Sequence, residues 1–280
     1  MAQVQVNYFS GALMRQMTFQ AIVPVDKLTF MGEAARRKKP FQTLYLLHGI
    51  FGNCMDWMTG TRIERWAQDK NLVVIMPSGD NSFYVDHPHD GARYGEFIGK
   101  ELVEITRSLF PLSRDREDTY IGGLSMGGYG AMRNGLKYAD TFGYIISLSG
   151  KLLFDDLDHL SAHSPALIGN RSYYESCFGD LDQVIGSDKD NCALIDRLLA
   201  EKKPVPRIFM AIGTEDFLLE SNRTYHQFLI ERGVEVDYHE EPGDHEWDFW
   251  DRWIERALNW LPLEGRWKGV SSGNVQPAKD

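Results

Sequence analysis

The sequence has no apolar run near the roughly 20 residues that a membrane-spanning helix needs, and it has few cysteines. Its three cysteines, Cys54, Cys177 and Cys192, are an odd number without the spacing of metal ligands. We therefore expect a reduced, cytoplasmic protein without a disulfide framework. Residues 1–11 lack the basic and apolar regions of a signal peptide, so none is predicted.

Positive charge is also scarce. The 30 Lys and Arg residues are outnumbered by 40 Asp and Glu residues, which gives a formal net charge of −10. An acidic chain without a basic stripe is poorly suited to nucleic acid or to an anionic membrane, so neither partner is predicted. The basic run at residues 36–39 precedes Pro40 and is typical of an exposed loop.

Short apolar runs alternate with segments of helical periodicity from residue 42 onward. The predicted buried strands are 43–47, 72–76, 119–121, 144–148 and 207–212, and residues 234–240, in which apolar and polar residues alternate, are predicted as the last strand. The predicted helices are 63–69, 97–109, 131–138, 221–232 and a final one containing four tryptophans. This alternation predicts an α/β fold, with a mostly parallel sheet covered by helices on both faces. Residues 3–6 and 17–23 are expected to add an antiparallel pair at one sheet edge.

The length of 280 residues fits one large α/β domain. We predict a single domain over residues 1–264 and a disordered tail over residues 265–280. Residues 151–204 interrupt the alternation between two strands, and insertions of this kind in α/β enzymes commonly form lids or pocket walls. We therefore interpret this segment as a small cap insertion.

Ser125 lies between Gly123 and Gly127, after an apolar run and before a segment with helical periodicity. This is the G-x-S-x-G pattern of a nucleophile elbow, in which a serine hydroxyl is exposed on a tight strand-to-helix turn. Glycines on both sides remove the Cβ atoms that would collide as the backbone folds back. The pattern predicts a serine nucleophile, with a Gly-rich turn as the alternative.

A serine nucleophile needs a base, and the base needs a carboxylate that orients it. Asp216 follows a predicted strand and is our candidate acid, with Glu215 as an exposed alternative. His245 follows the next strand, in the chain order that this fold requires, and is our candidate base. The histidines that are less well placed are His159, His163, His226 and His239, and the pair His87 and His89 lacks further ligands for a metal. No metal site is predicted.

The segment from His48 to Gly52 follows the first core strand and has an HGxxG pattern. Gly49 allows close approach of the backbone, so the Ile50 N–H is predicted to form an oxyanion hole with the Met126 N–H. His48 is expected to hold this loop in place. Flat side chains near the same sheet edge are candidate substrate contacts, with a place in the core as the alternative: Trp57, Tyr84, Phe217, and Phe154 in the cap, beside Tyr173, Tyr174 and Phe178.

Together these segments resemble the esterase D-like family of α/β-hydrolases, which includes tributyrin, feruloyl and acetyl-xylan esterases and S-formylglutathione hydrolases. The resemblance covers nearly the whole chain, through Tyr-Leu-Leu-His-Gly, Gly-Leu-Ser-Met-Gly-Gly-Tyr-Gly, Gly-Thr-Glu-Asp-Phe and His-Glu-Trp. Within this family, the sequence most resembles the bacterial tributyrin and feruloyl esterases. The resemblance implies Ser125, Asp216 and His245 as a catalytic triad and Ile50 with Met126 as the oxyanion hole, without a metal or organic cofactor.

The expected activity is hydrolysis of short-chain, acetyl or aromatic (cinnamoyl or feruloyl) small-molecule esters through an acyl-enzyme. An S-formylglutathione thioesterase is the first alternative, although the chain departs from that group at residues 48–52 and 245–248. Two further candidate functions are acyl transfer to an alcohol and ligand binding by a catalytically inactive protein. An exposed sheet edge or the cap would allow a homo-oligomer.

Overall fold

Five consecutive buried apolar segments form the centre of a single sheet in the computed structural model, which describes residues 1–26, 39–154 and 157–263. The eight strands are β1 (Ala2–Ser10), β2 (Arg15–Val23), β3 (Thr43–Leu47), β4 (Val73–Pro77), β5 (Thr119–Leu124), β6 (Tyr144–Leu148), β7 (Arg207–Gly213) and β8 (Val236–Glu241). Their order is β1-β2-β4-β3-β5-β6-β7-β8. Strands β3 to β8 run parallel, and β1 and β2 add the predicted antiparallel pair at one edge.

Helices cover both faces of the sheet, because every central strand buries side chains in both directions. They are α1 (Asp56–Gly60), α2 (Ile63–Lys70), α3 (Tyr94–Glu96), α4 (Leu102–Leu109), α5 (Met126–Lys137), α6 (Arg171–Phe178), α7 (Asn191–Ala200), α8 (Leu219–Glu231) and α9 (Trp247–Trp260). A π-helical turn, Phe97–Glu101, joins α3 to α4. Trp66 of α2 and Trp253 of α9 belong to the core on one face, and Met132 of α5 belongs to the core on the other. The predicted α/β architecture is confirmed.

The segment predicted as a cap contains α6 and α7, which the sequence patterns did not predict. It packs on α5 through an aromatic cluster in which the rings of Tyr129 and Phe154 lie 5.1 Å apart. The fully buried Arg133 of α5 donates hydrogen bonds to the Asp188 carbonyl at 3.0 Å and to its carboxylate at 2.7 Å. These contacts tie the segment to the helix that follows Ser125.

Two predictions fall wholly or largely outside the described residues: the loop at 36–39, of which only residue 39 is described, and the disordered tail at 265–280. The single-domain organisation stays a prediction. No helix in the part of the chain that the structure describes is long and apolar enough to cross a membrane.

Candidate active site

Ser125 occupies the sharp turn between the end of β5 and the start of α5. Its backbone has φ 54° and ψ −117°, a conformation that is unfavourable for a residue with a Cβ atom. The Ser125 N–H donates a 2.9 Å hydrogen bond to the Leu148 carbonyl of the neighbouring strand β6. The turn therefore presents the hydroxyl at the carboxyl end of the sheet, where ligands of open α/β sheets bind.

The two glycines of the elbow are required by close backbone contacts. A Cβ atom on Gly123 would lie 2.3 Å from the Gly127 carbonyl oxygen, and one on Gly127 would lie 2.5 Å from the His48 carbonyl oxygen. No side chain can relieve these contacts, because the obstructing atoms belong to the backbone. The sequence pattern thus has a direct steric cause.

His245 and Asp216 reach Ser125 from the loops after β8 and β7. The His245 Nε2 atom lies 2.9 Å from Ser125 Oγ, and its Nδ1 atom lies 2.9 Å from Asp216 Oδ2. Since a carboxylate only accepts hydrogen bonds, Nδ1 carries the proton and Nε2 is left to accept the serine hydroxyl proton. This is the geometry of a nucleophile, a base and an orienting acid in series.

Asp216 is almost fully buried, with 4% of its surface exposed. Burial by itself raises the pKa of this carboxyl, but hydrogen bonds from His245 and from the Leu218 N–H outweigh it and hold the pKa below its ordinary value. The carboxylate therefore stays ionised at neutral pH. The His245 ring also has two aromatic neighbours, Phe217 at 4.8 Å and Trp250 at 5.0 Å between ring centroids.

The competing candidate residues make contacts elsewhere. Glu215 accepts a hydrogen bond from the Gly243 N–H instead of approaching the histidine. His239 pairs with Asp237 and packs against Trp253, and His226 stacks on Tyr238. Within residues 1–26, 39–154 and 157–263, no group of three or more His, Cys, Asp or Glu side chains is arranged to hold a metal ion.

Ile50 and Met126, the predicted oxyanion-hole residues, line the same cavity as the serine. A Cβ atom on Gly49 would lie 3.6 Å from the Ser125 Cβ atom, which shows how closely this loop approaches the elbow. Met126 begins α5, where N–H groups have no acceptor within the helix. Neither the Ile50 nor the Met126 N–H donates to an acceptor in the described regions of the chain.

His48 connects this loop to the next one. Its Nδ1 atom lies 2.6 Å from the Gly49 carbonyl oxygen, and its Nε2 atom accepts a 2.9 Å hydrogen bond from the Gly79 N–H. The second contact requires an unprotonated Nε2, so His48 is the neutral Nδ1–H tautomer. Burial lowers the pKa of His48, which favours the same neutral form.

A cavity of about 840 Å³ opens above Ser125. Phe217 lines it as predicted, and so does Tyr174 of α6. Further lining residues are Phe51, Asp56, Phe83, Lys151, Ile168, Leu218, Glu246, Trp247 and Trp250. The sequence patterns did not indicate these, although Phe51 lies within the HGxxG segment and Trp247 follows His245 by two residues.

Three predicted substrate contacts lie in the core instead and do not line this cavity. Trp57 is 1% exposed, and its indole N–H donates to the Leu47 carbonyl at 2.9 Å. Tyr84 is fully buried and donates its hydroxyl to the His48 carbonyl. Phe154 is 5% exposed and packs on Phe178 within the cap, with ring centroids 4.7 Å apart. For these three residues the structure favours the alternative, a place in the core, over the predicted substrate contact.

Comparisons with known proteins agree with this fold. Residues 10–261 match the family model Esterase, described as "Putative esterase". An acetyl esterase from Caldicellulosiruptor saccharolyticus is 45% identical over 93% of this chain and 98% of its own length. Two Staphylococcus aureus structures each align with 93% of this chain and 98% of their own: substrate-bound FphF, a fluorophosphonate-binding serine hydrolase (31% identity, TM-score 0.81), and FrmB, an S-formylglutathione hydrolase (32% identity, TM-score 0.80).

Fold, site and similarity together define a serine ester hydrolase with an α/β-hydrolase fold. The chain belongs to the Esterase family. The predicted class of enzyme is thereby confirmed, and the hypothesis of an inactive binding protein is not supported.

Proposed function

We propose that Ser125, His245 and Asp216 form the catalytic triad of this esterase and that Ile50 and Met126 supply its oxyanion hole. The chain of hydrogen bonds from Ser125 Oγ through His245 to Asp216 carries the proposal. In this mechanism Ser125 Oγ attacks the ester carbonyl carbon while its proton passes to His245 Nε2. The Ile50 and Met126 N–H groups stabilise the negative charge on the carbonyl oxygen.

The acyl-enzyme forms when the alcohol leaves with the proton from His245. Water, deprotonated by His245, then attacks the acyl carbon and releases the acid and the free serine. Asp216 holds the imidazole in the tautomer that accepts from Ser125 and stabilises the imidazolium that forms. Each oxyanion donor is expected to contribute about 3 kcal/mol to the transition state.

We propose that the substrates are short-chain or aromatic small-molecule esters. The cavity supports this assignment because it is larger than an acetyl group requires and includes several rings, among them Phe51, Phe217 and Trp247. Similarity to an acetyl esterase favours a short acyl group. Flat apolar walls would also receive the aromatic ring of a cinnamoyl acyl group.

A thioesterase acting on S-formylglutathione is the second candidate, favoured by similarity to FrmB. The same serine chemistry cleaves esters and thioesters, so the triad does not distinguish them. We also infer a cytoplasmic location, which the three free cysteines support. The homo-oligomer stays a prediction.

One set of rate measurements tests both parts of the proposal. Turnover of p-nitrophenyl acetate, p-nitrophenyl butyrate, methyl ferulate and S-formylglutathione would be compared for the wild type and for Ser125→Ala. We expect Ser125→Ala to lose turnover and fluorophosphonate labelling while keeping its melting temperature. Undiminished turnover by this variant would exclude Ser125 as the nucleophile, and a kcat/KM highest for S-formylglutathione would favour the thioesterase.

A further inference from the structure

Glu215 joins the loop that carries Asp216 to the turn that carries His245. Its Oε2 atom accepts a 2.6 Å hydrogen bond from the Gly243 N–H, and its Oε1 atom accepts one from the Thr214 hydroxyl at 2.9 Å. Both oxygens of an exposed side chain are thus engaged. The Gly243 and Thr214 hydrogen bonds hold the pKa of Glu215 below its ordinary value, so the side chain is ionised at neutral pH.

The position of this contact is significant because the sheet ends just before it. The pairing of β7 with β8 stops at Gly213 opposite Glu241. Beyond that point the Glu215 N–H donates to the Gly243 carbonyl at 3.1 Å, and the Glu215 carboxylate accepts from the Gly243 N–H. Glu215 therefore forms hydrogen bonds with both backbone polar groups of Gly243, beyond the point where the pairing of β7 with β8 stops.

Gly243 in turn determines the path of the turn that carries His245 to the serine. It lies two residues before His245 and has φ 154°, a value that favours glycine. A Cβ atom on Gly213 would lie 2.0 Å from the Gly243 carbonyl oxygen, so the two loops are in direct contact. A shift of Gly243 would be transmitted to the imidazole through a single intervening residue, Asp244.

We propose that Glu215 is a positioning residue, which keeps the His245 imidazole within hydrogen-bonding distance of Ser125 and Asp216. The inference rests on the proposed function, in which His245 is the base. Glu215 does not line the cavity and has no contact with the reacting atoms. Its effect comes from geometry, because a misplacement of about 1 Å at a reacting group can lower a rate about 100-fold.

Three substitutions of Glu215 distinguish the effect of the position of its acceptor oxygen from the effect of its negative charge. Glu215→Ala removes the acceptor, Glu215→Gln keeps a carbonyl oxygen at the same reach, and Glu215→Asp keeps the charge on a side chain one methylene shorter. Glu220→Ala is the matched control, since Glu220 is an exposed glutamate of α8 that pairs with Arg223. Each variant would be assayed for kcat and KM on p-nitrophenyl acetate, and for the far-downfield NMR signal of the His245 Nδ1–H.

We expect Glu215→Ala and Glu215→Asp to lower kcat about tenfold, with KM changed less than about twofold, and to weaken or broaden the Nδ1–H signal. Glu215→Gln and Glu220→Ala should stay within about twofold of the wild type. Equal activity of the Asp and Gln variants, or an unchanged kcat in Glu215→Ala, would overturn the proposal. If Glu215→Ala does not fold, the comparison of kcat between Glu215→Asp and Glu215→Gln still tests the proposal.

The failure of this inference is distinguishable from failure of the proposed function. If Ser125→Ala is inactive and the Glu215 variants all match the wild type, the triad stands and the positioning role is wrong. If Ser125→Ala retains full turnover, the triad itself is wrong.

Discussion

His245 Nε2 lies 2.9 Å from Ser125 Oγ, although 120 residues separate the two in the chain. The distance depends on the sheet, because β5 and β8 end at the same edge, Ser125 directly follows β5, and His245 lies in the turn four residues after the end of β8. The hydrogen bond on the other side of the ring, to Asp216, then determines which nitrogen carries the proton. A change at either bond should therefore affect catalysis more than folding.

Replacing Asp216 by Asn tests the orienting role. An amide can donate to Nδ1, which would place the proton on Nε2 and remove the acceptor for the Ser125 hydroxyl. We expect kcat for p-nitrophenyl acetate to fall about 10⁴-fold, with a much smaller change in KM. Asp237→Asn is the matched control, because it makes the same chemical change at a carboxylate that pairs with His239 and does not line the cavity. A loss of less than about tenfold in Asp216→Asn would contradict the assignment.

Replacing Gly127 by Ala tests the steric requirement of the elbow. The new Cβ atom would lie 2.5 Å from the backbone oxygens of Leu47 and His48, so α5 or the facing loop must move. We expect a loss of about 1–3 kcal/mol in the free energy of unfolding and a lower kcat. Gly11→Ala is the control, because its Cβ atom would be 3.9 Å from its nearest neighbour, a Glu101 oxygen. Urea unfolding and steady-state kinetics of both variants provide the measurement.

Replacing Phe217 by Ala tests the aromatic wall of the cavity. The residue is 71% exposed and lines the cavity, so its loss should leave the stability nearly unchanged. If its ring contacts an aromatic acyl group, kcat/KM for methyl ferulate should fall about tenfold, equivalent to about 1.4 kcal/mol. Turnover of p-nitrophenyl acetate should change less than about twofold.

An equal loss on both esters would indicate that Phe217 acts on the neighbouring His245 ring rather than on the substrate. Phe9→Ala is the control for this variant. Phe9 is 57% exposed on the edge strand β1 and does not line the cavity.

The centre of the sheet could be predicted from the sequence because its strands are apolar on both faces. Thr43–Leu47 and Tyr144–Leu148 have the predicted bounds, and each is buried at every position. The elbow and the two partner loops could be predicted as well, since chain order and strand ends determine where they meet. Helix α1, of five residues, and the cap helices α6 and α7 have no comparably regular pattern and were missed.

The cavity walls could not be predicted, because nearness to the sheet edge does not determine the direction of a side chain. Trp57 follows the HGxxG segment but turns inward, where its indole N–H finds the Leu47 carbonyl. Phe51 is nearer to Gly49 in the chain and remains 69% exposed at the cavity. The Leu47 carbonyl provides the partner that the buried indole N–H of Trp57 needs, so the ring can lie in the core without an unpaired donor.

His48 should make the stability of the protein depend on pH. Its Nε2 atom accepts from the Gly79 N–H, and burial lowers its pKa, so the folded state disfavours the protonated ring. The unfolded state binds a proton as the pH falls through about 6.5, and the folded state does so only at lower pH. The contribution of neutral His48 to the free energy of unfolding is therefore complete above about pH 6.5 and decreases as the pH falls towards the lower, folded pKa.

We expect the free energy of unfolding, measured in urea at about pH 7.5 and pH 5.5, to fall less in His48→Gln than in the wild type. His163→Gln, which changes an exposed histidine in the cap, should keep the wild-type difference. Identical pH dependence in all three proteins would show that His48 is not the group responsible.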